Sequence, residues 1–144
     1  WLMGPVDTVQ ALTADRTLGW ETGDVVSVQL RFRAGMTATL SAILKTPHFM
    51  RFHLFGSDQW AEVRNDTHPD TPGGAAHLTT AQSGVSLKTQ SFPWTDTVMD
   101  NLSAFADAIE GRADYPFTAR QLVHNIEVLE AIAAAAASGE TVRL

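Results

Sequence analysis

The sequence has no cysteine in its 144 residues, and it is also poor in positive charge. Without cysteine, a disulfide-stapled fold, a thiolate zinc site and a cysteine nucleophile are excluded. Lys and Arg together number 10 against 16 Asp and Glu, which gives a net charge of −6. Because an acidic chain without a basic cluster cannot neutralise many phosphates, we expect no nucleic-acid partner.

Long apolar runs are missing as well. The longest, around residues 131–137, is far shorter than the roughly 20 apolar residues that a membrane-spanning helix needs. No signal peptide is visible at the start of the sequence. Hydrophobic residues make up 44% of the chain and charged residues 18%, values that are typical of a globular protein. We therefore expect a cytoplasmic protein without a membrane partner.

The familiar catalytic signatures are also absent. The sequence contains no G-x-G-x-x-G, no phosphate-binding G-K-[ST] and no G-x-S-x-G elbow. No serine is recognisably paired with a histidine and an aspartate. We accordingly expect no catalytic, cofactor-binding or metal-binding residue in this chain, and no cofactor bound by this chain alone.

Two kinds of hydrophobic periodicity follow each other along the chain. Residues 5–91 alternate as strands do, and residues 96–139 repeat as helices do. The clearest strands are "DVVSVQLRFR" and "MTATLSAILK", which we predict to form a hairpin that turns at Gly35. Strands followed by helices predict an α+β fold with an open-faced, mainly antiparallel sheet of about six strands.

The two predicted helices carry their own start and stop signals. We expect Thr97 to cap the first helix and Gly111 to end it. Thr118, with Gln121 three residues later, predicts a capping box for the second helix. The apolar stripes comprise Val98, Leu102, Phe105 and Ile109 in the first helix, and Leu122, Ile126, Leu129, Ala133 and Ala136 in the second. Because each helix has one apolar face, we expect both to pack on one face of the sheet.

The other face of the predicted hairpin is small, polar and almost uncharged. It comprises Ser27, Gln29, Thr37, Thr39 and Ser41. Antiparallel sheets often leave one face in water, which is the simpler interpretation. Solvated faces usually carry more Lys and Glu, so a surface that meets another subunit or domain is an equally good interpretation.

The loop "DTHPDTPGG" and the histidine after it have a composition that could bind a cation. Asp66, His68, Asp70 and His77 supply oxygen and nitrogen donors. One hypothesis is therefore a small metal-dependent hydrolase that uses Asp66, His68 and His77. Loops rich in these residues are more often simply solvated, so we predict no metal site.

The remaining histidines and two tryptophans allow simpler interpretations. The odd spacing of His48 and His53 predicts that they point to opposite faces of a strand, so they cannot share a metal. His124 lies beside the apolar stripe of the second helix and is interpreted as a boundary residue. Trp20 and Trp94 lie outside the strand pattern, where a large ring either plugs the edge of a core or lines a pocket.

The order of these segments resembles one family over nearly the whole chain. The matching blocks are "GPVDTVQA", "DVVSVQLRFRAGMTATLSAI", "RFHLFGSDQWAEV", "NLSAFADAIEG" and "EAIAAAAASGETVRL". Together they are similar to the C-terminal domain of the glucose–fructose oxidoreductase, inositol dehydrogenase and MocA family, abbreviated Gfo/Idh/MocA. The resemblance implies that residues 1–144 are the substrate and oligomerisation domain of a two-domain oxidoreductase.

The resemblance also implies what lies outside this chain. Family members bind NAD or NADP in an N-terminal Rossmann domain and transfer a hydride between the nicotinamide and a carbinol carbon of a sugar, polyol or similar substrate. The family's Glu-Lys-Pro and Asp-x-x-x-His motifs lie upstream of the matched region, so Trp1 and Leu2 correspond to the tail of a preceding helix. A homo-oligomer through the sheet face is expected, and the isolated chain is expected to be inactive.

Four residues are the substrate-contacting candidates that the resemblance implies. Aligning on Leu54-Phe55-Gly56 brings His48 or Phe49 near an aromatic pocket position of inositol-dehydrogenase-like members, although the second glycine of that turn is absent here. Trp94 is the nearest match to a second aromatic contact. Arg51 suits an acidic substrate, because its planar fork matches a carboxylate; a surface or salt-bridged arginine is the simpler interpretation.

An alternative of another class remains open at this point. The chain could be a stand-alone α+β binding or assembly module that never had a Rossmann partner and has no catalytic activity. A βαβ unit encoded upstream of Trp1 would decide between the two interpretations.

Overall fold

A computed structural model describes residues 2–144, so the predicted helix tail at Trp1 lies outside the described residues, and Leu2 lies outside regular structure. Eight strands and two helices confirm the α+β class. The strands are β1 (Val6–Ala14), β2 (Val25–Phe32), β3 (Thr37–Ile43), β4 (Arg51–Phe55), β5 (Gln59–Asn65), β6 (Ala75–Gln82), β7 (Lys88–Pro93) and β8 (Val142–Arg143). The helices are α1 (Thr97–Ile109) and α2 (Ala119–Ser138).

The strands form two four-stranded antiparallel sheets, where the sequence predicts one sheet of about six strands. Their orders are β3-β2-β1-β8 and β4-β5-β6-β7. The chain correspondingly divides into a first unit, the chain up to Thr46 together with Pro116–Leu144, and a second unit, Pro47–Tyr115. Hairpin signals specify which consecutive strands pair, but they carry no information on whether β3 continues into β4, so the division was not predictable from them.

The first unit contains the predicted hairpin. β2 pairs with β3 in the expected register, with Gln29 opposite Thr39, and the turn residue Gly35 has a φ of 93°. Strand β1 is irregular at its start, where its register with β2 shifts between Val6 and Thr8. The short strand β8, which the sequence analysis missed, pairs with β1 and leads to the last residue, Leu144.

Helix α2 covers the first sheet with a face that shares only Ala136 with the predicted stripe. Ala131 and Ala135 are buried against a cluster that includes Val9 and Val28. Leu122, Ile126 and Leu129 of the predicted stripe are instead about half exposed. Alanine has no side chain beyond its Cβ, so the alanine face lets the helix backbone approach β1 closely, and hydropathy alone does not reveal this preference.

The helix ends largely follow the sequence signals. Thr118 and Gln121 form the predicted capping box of α2, and Gly139 ends that helix with a φ of 73°. The N-cap of α1 is Asp96 instead of the predicted Thr97; its carboxylate accepts the Met99 N–H at 3.0 Å. A carboxylate at this position is stabilised by the helix dipole, which a hydroxyl is not. None of the residues of α1 is buried.

The second unit has a sheet with two chemically different faces. The register aligns Arg51, Arg64, His77 and Ser91 in one row across all four strands. The next row on the same face places His53 opposite Glu62 and Thr79 opposite Thr89. The alternate positions, which include Phe52, Val63 and Leu78, carry the apolar side chains on the opposite face. The polar face therefore brings the titratable side chains together.

Candidate functional site

All four substrate-contacting candidates lie at one end of the second sheet. At this end β4 and β6 begin, β5 and β7 end, and residues 66–74 connect β5 to β6. We call it the loop end. His48, Phe49 and Arg51 lie immediately before and at the start of β4, and Trp94 directly follows β7. The antiparallel order of the strands is what collects residues so distant in sequence.

Phe49 and Arg51 contact each other at the loop end. The guanidinium carbon of Arg51 lies 5.1 Å from the centroid of the Phe49 ring, a cation–π distance, and the Phe49 side chain is 71% exposed. Arg51 Nη1 also lies 3.8 Å from Glu62 Oε2. The same carboxylate oxygen is hydrogen-bonded to His53 Nε2 at 2.8 Å. Arg51 is thus salt-bridged, as the simpler interpretation predicts, and its paired charge is held next to an exposed aromatic ring.

The loop 66–74 contacts the other two candidates. The His48 and His68 rings meet edge to face with centroids 6.4 Å apart, and Trp94 Nε1 donates to the Pro69 carbonyl oxygen at 2.7 Å. Trp94 is half-buried and lines a cavity of about 290 Å³. The loop is therefore held between the start of β4 and the end of β7, and Trp94 serves as both an anchor and a cavity wall.

A hydroxyl, an imidazole and a carboxylate are hydrogen-bonded in series on the polar face next to the loop end. Ser91 Oγ lies 2.9 Å from His77 Nδ1, and both carboxylate oxygens of Asp66 lie 3.0 Å from His77 Nε2. The hydrogen bond from His77 lowers the pKa of Asp66, and the nearby charge of Arg64 adds to that effect. This arrangement contradicts the prediction that no serine pairs with a histidine and an aspartate.

The sequence does contain a signal for this contact. Ser83 and Gly84 form the turn between β6 and β7, and a hairpin centred at Gly84 places His77 opposite Ser91. The pairing was missed because motif patterns such as G-x-S-x-G describe strand-to-helix turns, not two neighbouring strands.

The residues of the metal-hydrolase hypothesis are divided between two pairs. His77 bonds to Asp66, whereas His68 Nδ1 lies 3.5 Å from Asp70 Oδ2. Within residues 2–144, no three His, Asp or Glu side chains form a group that could hold a metal ion. The geometry gives this hypothesis no support.

The first unit has a groove of about 1,050 Å³ between α2 and the start of β1. His124 lies in it and is more than a boundary residue: its Nε2 accepts the backbone N–H of Val6 at 2.9 Å. Because that nitrogen accepts, the ring proton is on Nδ1, which donates to Glu127 at 2.9 Å. The bond to Val6 ties the helix to the first residue of β1, and the bond to Glu127, within α2, fixes the orientation of the ring.

The loop between β1 and β2 is organised by a buried carboxylate. Asp24 is 3% exposed, and its oxygens accept the N–H groups of Arg16, Thr17 and Leu18 at 2.8–3.0 Å. These hydrogen bonds, the one from Arg16 first, lower the pKa of Asp24 against the opposing effect of burial. Trp20 in the same loop is 51% exposed, so it neither plugs the core nor lines either cavity described above.

The polar face of the β2–β3 hairpin also has the predicted composition. Ser27 lies opposite Ser41, and Gln29 lies opposite Thr39, whose hydroxyl is 3.5 Å from the Gln29 side-chain oxygen. We call this surface the hydroxyl face; it comprises Ser27, Gln29, Thr37, Thr39 and Ser41.

Neither helix within residues 2–144 is long and apolar enough to cross a membrane.

A comparison with protein families matches the chain over residues 1–144 to the oxidoreductase family C-terminal alpha/beta domain, the GFO_IDH_MocA_C family. No curated protein sequence matches the chain. Among solved structures, it is similar to a proposed NADPH-dependent oxidoreductase from Desulfitobacterium hafniense, with 18% identity, a TM-score of 0.79 and coverage of 99% of this chain and 43% of that one.

Two further structures carry ligands. The aldose-aldose oxidoreductase from Caulobacter crescentus, complexed with glycerol, is 24% identical, with a TM-score of 0.71 and coverage of 99% of this chain and 42% of that one. The WlbA dehydrogenase from Bordetella pertussis, in complex with NADH and UDP-GlcNAcA, is 18% identical, with a TM-score of 0.62 and coverage of 100% and 40%. These identities show a shared fold, and the chain spans less than half the length of each relative.

Proposed function

Because the chain belongs to the Gfo/Idh/MocA oxidoreductase family as its C-terminal alpha/beta domain, we propose that it is the substrate and oligomerisation domain of a two-domain enzyme. That enzyme oxidises or reduces a sugar, a polyol or a related small molecule in the cytoplasm. The observation that carries the proposal is the family match over the entire chain. The coverage of only 40–43% of the three relatives is consistent with a partner domain of at least equal size.

In this proposal the cofactor and the reacting groups belong to the other domain. NAD or NADP binds to an N-terminal Rossmann domain, which supplies the acid–base residue and receives or donates the hydride. The Bordetella relative, whose structure contains NADH, is an example of a protein with this fold that binds such a cofactor. The present chain then contributes binding surface and no cofactor site.

The loop end is the part of the chain that we assign to the substrate. Phe49 and Trp94 supply flat apolar surfaces, which suit the C–H faces of a sugar ring. Arg51 and His48 supply polar groups that can fix the orientation of hydroxyl or carboxylate substituents. The glycerol and UDP-GlcNAcA of the two relatives are ligands of the same chemical kind, rich in hydroxyl groups.

The substrate role is tested in the two-domain enzyme with Trp94→Ala. Loss of the ring that anchors loop 66–74 should raise KM for the substrate about tenfold or more, with a smaller change in kcat, because ground-state and transition-state binding are lost together. Trp20→Ala, at an exposed tryptophan of the first unit, is the matched control and should leave both parameters unchanged. A fall in kcat alone would contradict the assignment.

We also propose that the hydroxyl face is the surface through which copies of the chain associate. Short hydroxyl side chains permit close approach of two sheets, and the five residues themselves carry no charge that would have to be desolvated; Arg31, opposite Thr37, lies at the border of this face. Thr39→Lys should weaken self-association at least about tenfold, because it places a charge in the centre of that face. Sedimentation velocity measures the change, with Thr71→Lys in loop 66–74 as the control. An unchanged profile for Thr39→Lys would contradict this interface.

A further inference from the structure

The proposed oxidoreductase role does not use the hydrogen-bonded series formed by Ser91, His77 and Asp66. Asp66 is ionised at neutral pH, so the nitrogen that faces it, Nε2 of His77, carries the ring proton. The neutral ring then has its lone pair on Nδ1, which lies 2.9 Å from Ser91 Oγ. Ser91 therefore donates its hydroxyl proton to an imidazole whose orientation is set by a carboxylate.

The position of the three residues leaves the hydroxyl accessible. Ser91 is exposed and lies on β7, which is an edge strand of its sheet. The side chain of His77 is 25% exposed and that of Asp66 is 44% exposed. The nucleophile is thus open to a reagent, while the base behind it is partly shielded from water.

Two neighbouring pairs on the same face are incomplete by comparison. His53 bonds to Glu62 at 2.8 Å, but the structure shows no hydroxyl hydrogen-bonded to its ring. Thr79 and Thr89 share a hydroxyl–hydroxyl hydrogen bond of 3.0 Å with no imidazole in the pair. Among the residues that the structure describes on this face, only the row that contains Ser91 combines a hydroxyl, a ring nitrogen that accepts its proton and a carboxylate on the far side of the ring.

We infer that Ser91 is an activated nucleophile that reacts with acyl and phosphonyl electrophiles, with His77 as its general base and Asp66 as a positioning residue. With an activated ester, Ser91 Oγ forms a bond to the carbonyl carbon while its proton moves to His77 Nδ1. The bond from carbon to the leaving oxygen then breaks, and that oxygen takes the proton from His77 Nδ1 and leaves as the alcohol or phenol, which frees Nδ1 to act as a base again. Water next attacks the acylated serine with the same base, which releases the acid and restores the hydroxyl.

The charged groups around the ring support this assignment of roles. Asp66 lies at Nε2, Arg64 lies opposite His77 on β5, and Glu62 lies one row away; on β7, Ser91 lies opposite His77 and Thr89 lies one row away, and both are neutral. Arg64 lies in the same row as Ser91 but two strands away, with His77 between them, so its charge acts on the Asp66 side of the series. We expect turnover to be slow and the covalent adduct to be the main readout.

The experiment treats the 144-residue chain with a fluorophosphonate probe and locates the adduct by tandem mass spectrometry. Trypsin releases Ser91 in the peptide 89–112, so the fragment spectrum must separate it from Ser103. We expect an adduct on Ser91, none in Ser91→Ala, and a labelling rate at least about 100-fold lower in His77→Gln. His53→Gln is the matched control and should label at the original rate.

Two further measurements keep the inference testable if a variant folds poorly. In the unaltered chain the labelling rate should fall on acidification, since a protonated imidazole cannot accept the Ser91 proton. In Asp66→Asn the rate should fall at least about tenfold and its pH profile should move, which a purely structural role would not produce. Equal labelling of several serines, or a Ser91 rate that is independent of His77 and pH, would overturn the inference and leave a structural cross-strand hydrogen bond.

Discussion

The two units have the same components, a four-stranded antiparallel sheet and one long helix, but they differ in the part that the helix plays. In the first unit α2 lies on β1 and buries Ala131 and Ala135. In the second unit no residue of α1 is buried, and Leu102 and Phe105 are more than half exposed. An apolar stripe therefore does not by itself show how closely a helix packs or which of its residues become buried.

The same contrast extends to the sheets. Within residues 2–144, all six buried hydrophobic residues belong to the first unit: Val6, Val9, Ala11, Val28, Ala131 and Ala135. The polar face of the second sheet is instead held by cross-strand pairs such as His53 with Glu62 and Thr79 with Thr89, each of which contributes about 0.2–1 kcal/mol. Substitutions should therefore cost more in the first unit than at matching positions of the second.

The largest expected difference is at the contact between α2 and β1. Ala135→Leu forces a larger side chain into a site that is 0% exposed, and it should lower the free energy of unfolding by about 1–3 kcal/mol. Ala106→Leu, at an exposed position of α1, should change it by less than about 0.5 kcal/mol. Urea denaturation followed by circular dichroism measures both. Equal losses would show that α1 packs as closely as α2 does.

The hydrogen bond between His124 and Val6 should give the next largest effect. His124→Leu leaves the Val6 N–H without its acceptor, so we expect a loss of about 1–2 kcal/mol in the free energy of unfolding. His68→Leu is the control in the second unit, because the His68 side chain is 62% exposed. If the two variants unfold at the same urea concentration, the tie between α2 and β1 contributes nothing.

The two aspartates with lowered pKa values, Asp24 in the first unit and Asp66 in the second, allow the two units to be compared by how their stability depends on pH. Each carboxyl has a pKa of about 3.8 in the unfolded chain and a lower pKa in the folded chain. The ionised carboxylate therefore stabilises the folded chain at pH values above 3.8, and this stabilisation is lost as the pH falls through the pKa of the folded state. Asp24→Asn should therefore lower Tm by roughly 5 °C at pH 7, with the difference narrowing below about pH 4. Thermal denaturation at several pH values is the measurement.

Asp66→Asn should give the same pH trend with a smaller amplitude, roughly 2 °C at pH 7. Its carboxylate is 44% exposed and is screened by solvent, whereas the Asp24 carboxylate is enclosed by three backbone N–H groups. A larger loss of Tm for Asp66→Asn than for Asp24→Asn would contradict the expectation that substitutions cost more stability in the first unit than in the second.

The parts of the fold that depend on local patterns could be predicted from the sequence. The β2–β3 hairpin with its turn at Gly35, and the capping box of Thr118 and Gln121, need only neighbouring residues to specify them. The α2 contact could not be predicted from hydropathy, because Leu129 ranks above Ala135 in apolar character although Ala135 is the buried residue. The close approach of two backbones depends on side-chain size, which a hydropathy stripe does not record.

The candidate site shows a similar limit. The resemblance to the family identified four candidate residues, His48, Phe49, Arg51 and Trp94. The strand order places them at one end of a sheet, and their role in binding stays a prediction. The contact between His77 and Ser91 depends on strand register, which a search for catalytic motifs does not consult. Glu62, which pairs with Arg51, was missed for the same reason.

The most direct test of the central claim, that this chain supplies binding surface while another domain supplies the cofactor site, is a fluorescence titration of the 144-residue chain with NADH and with NADPH. We predict no saturable change in nicotinamide or tryptophan fluorescence up to about 1 mM of either cofactor, whereas the two-domain enzyme should bind one of them in the micromolar range. Saturable micromolar binding by the isolated chain would contradict the account.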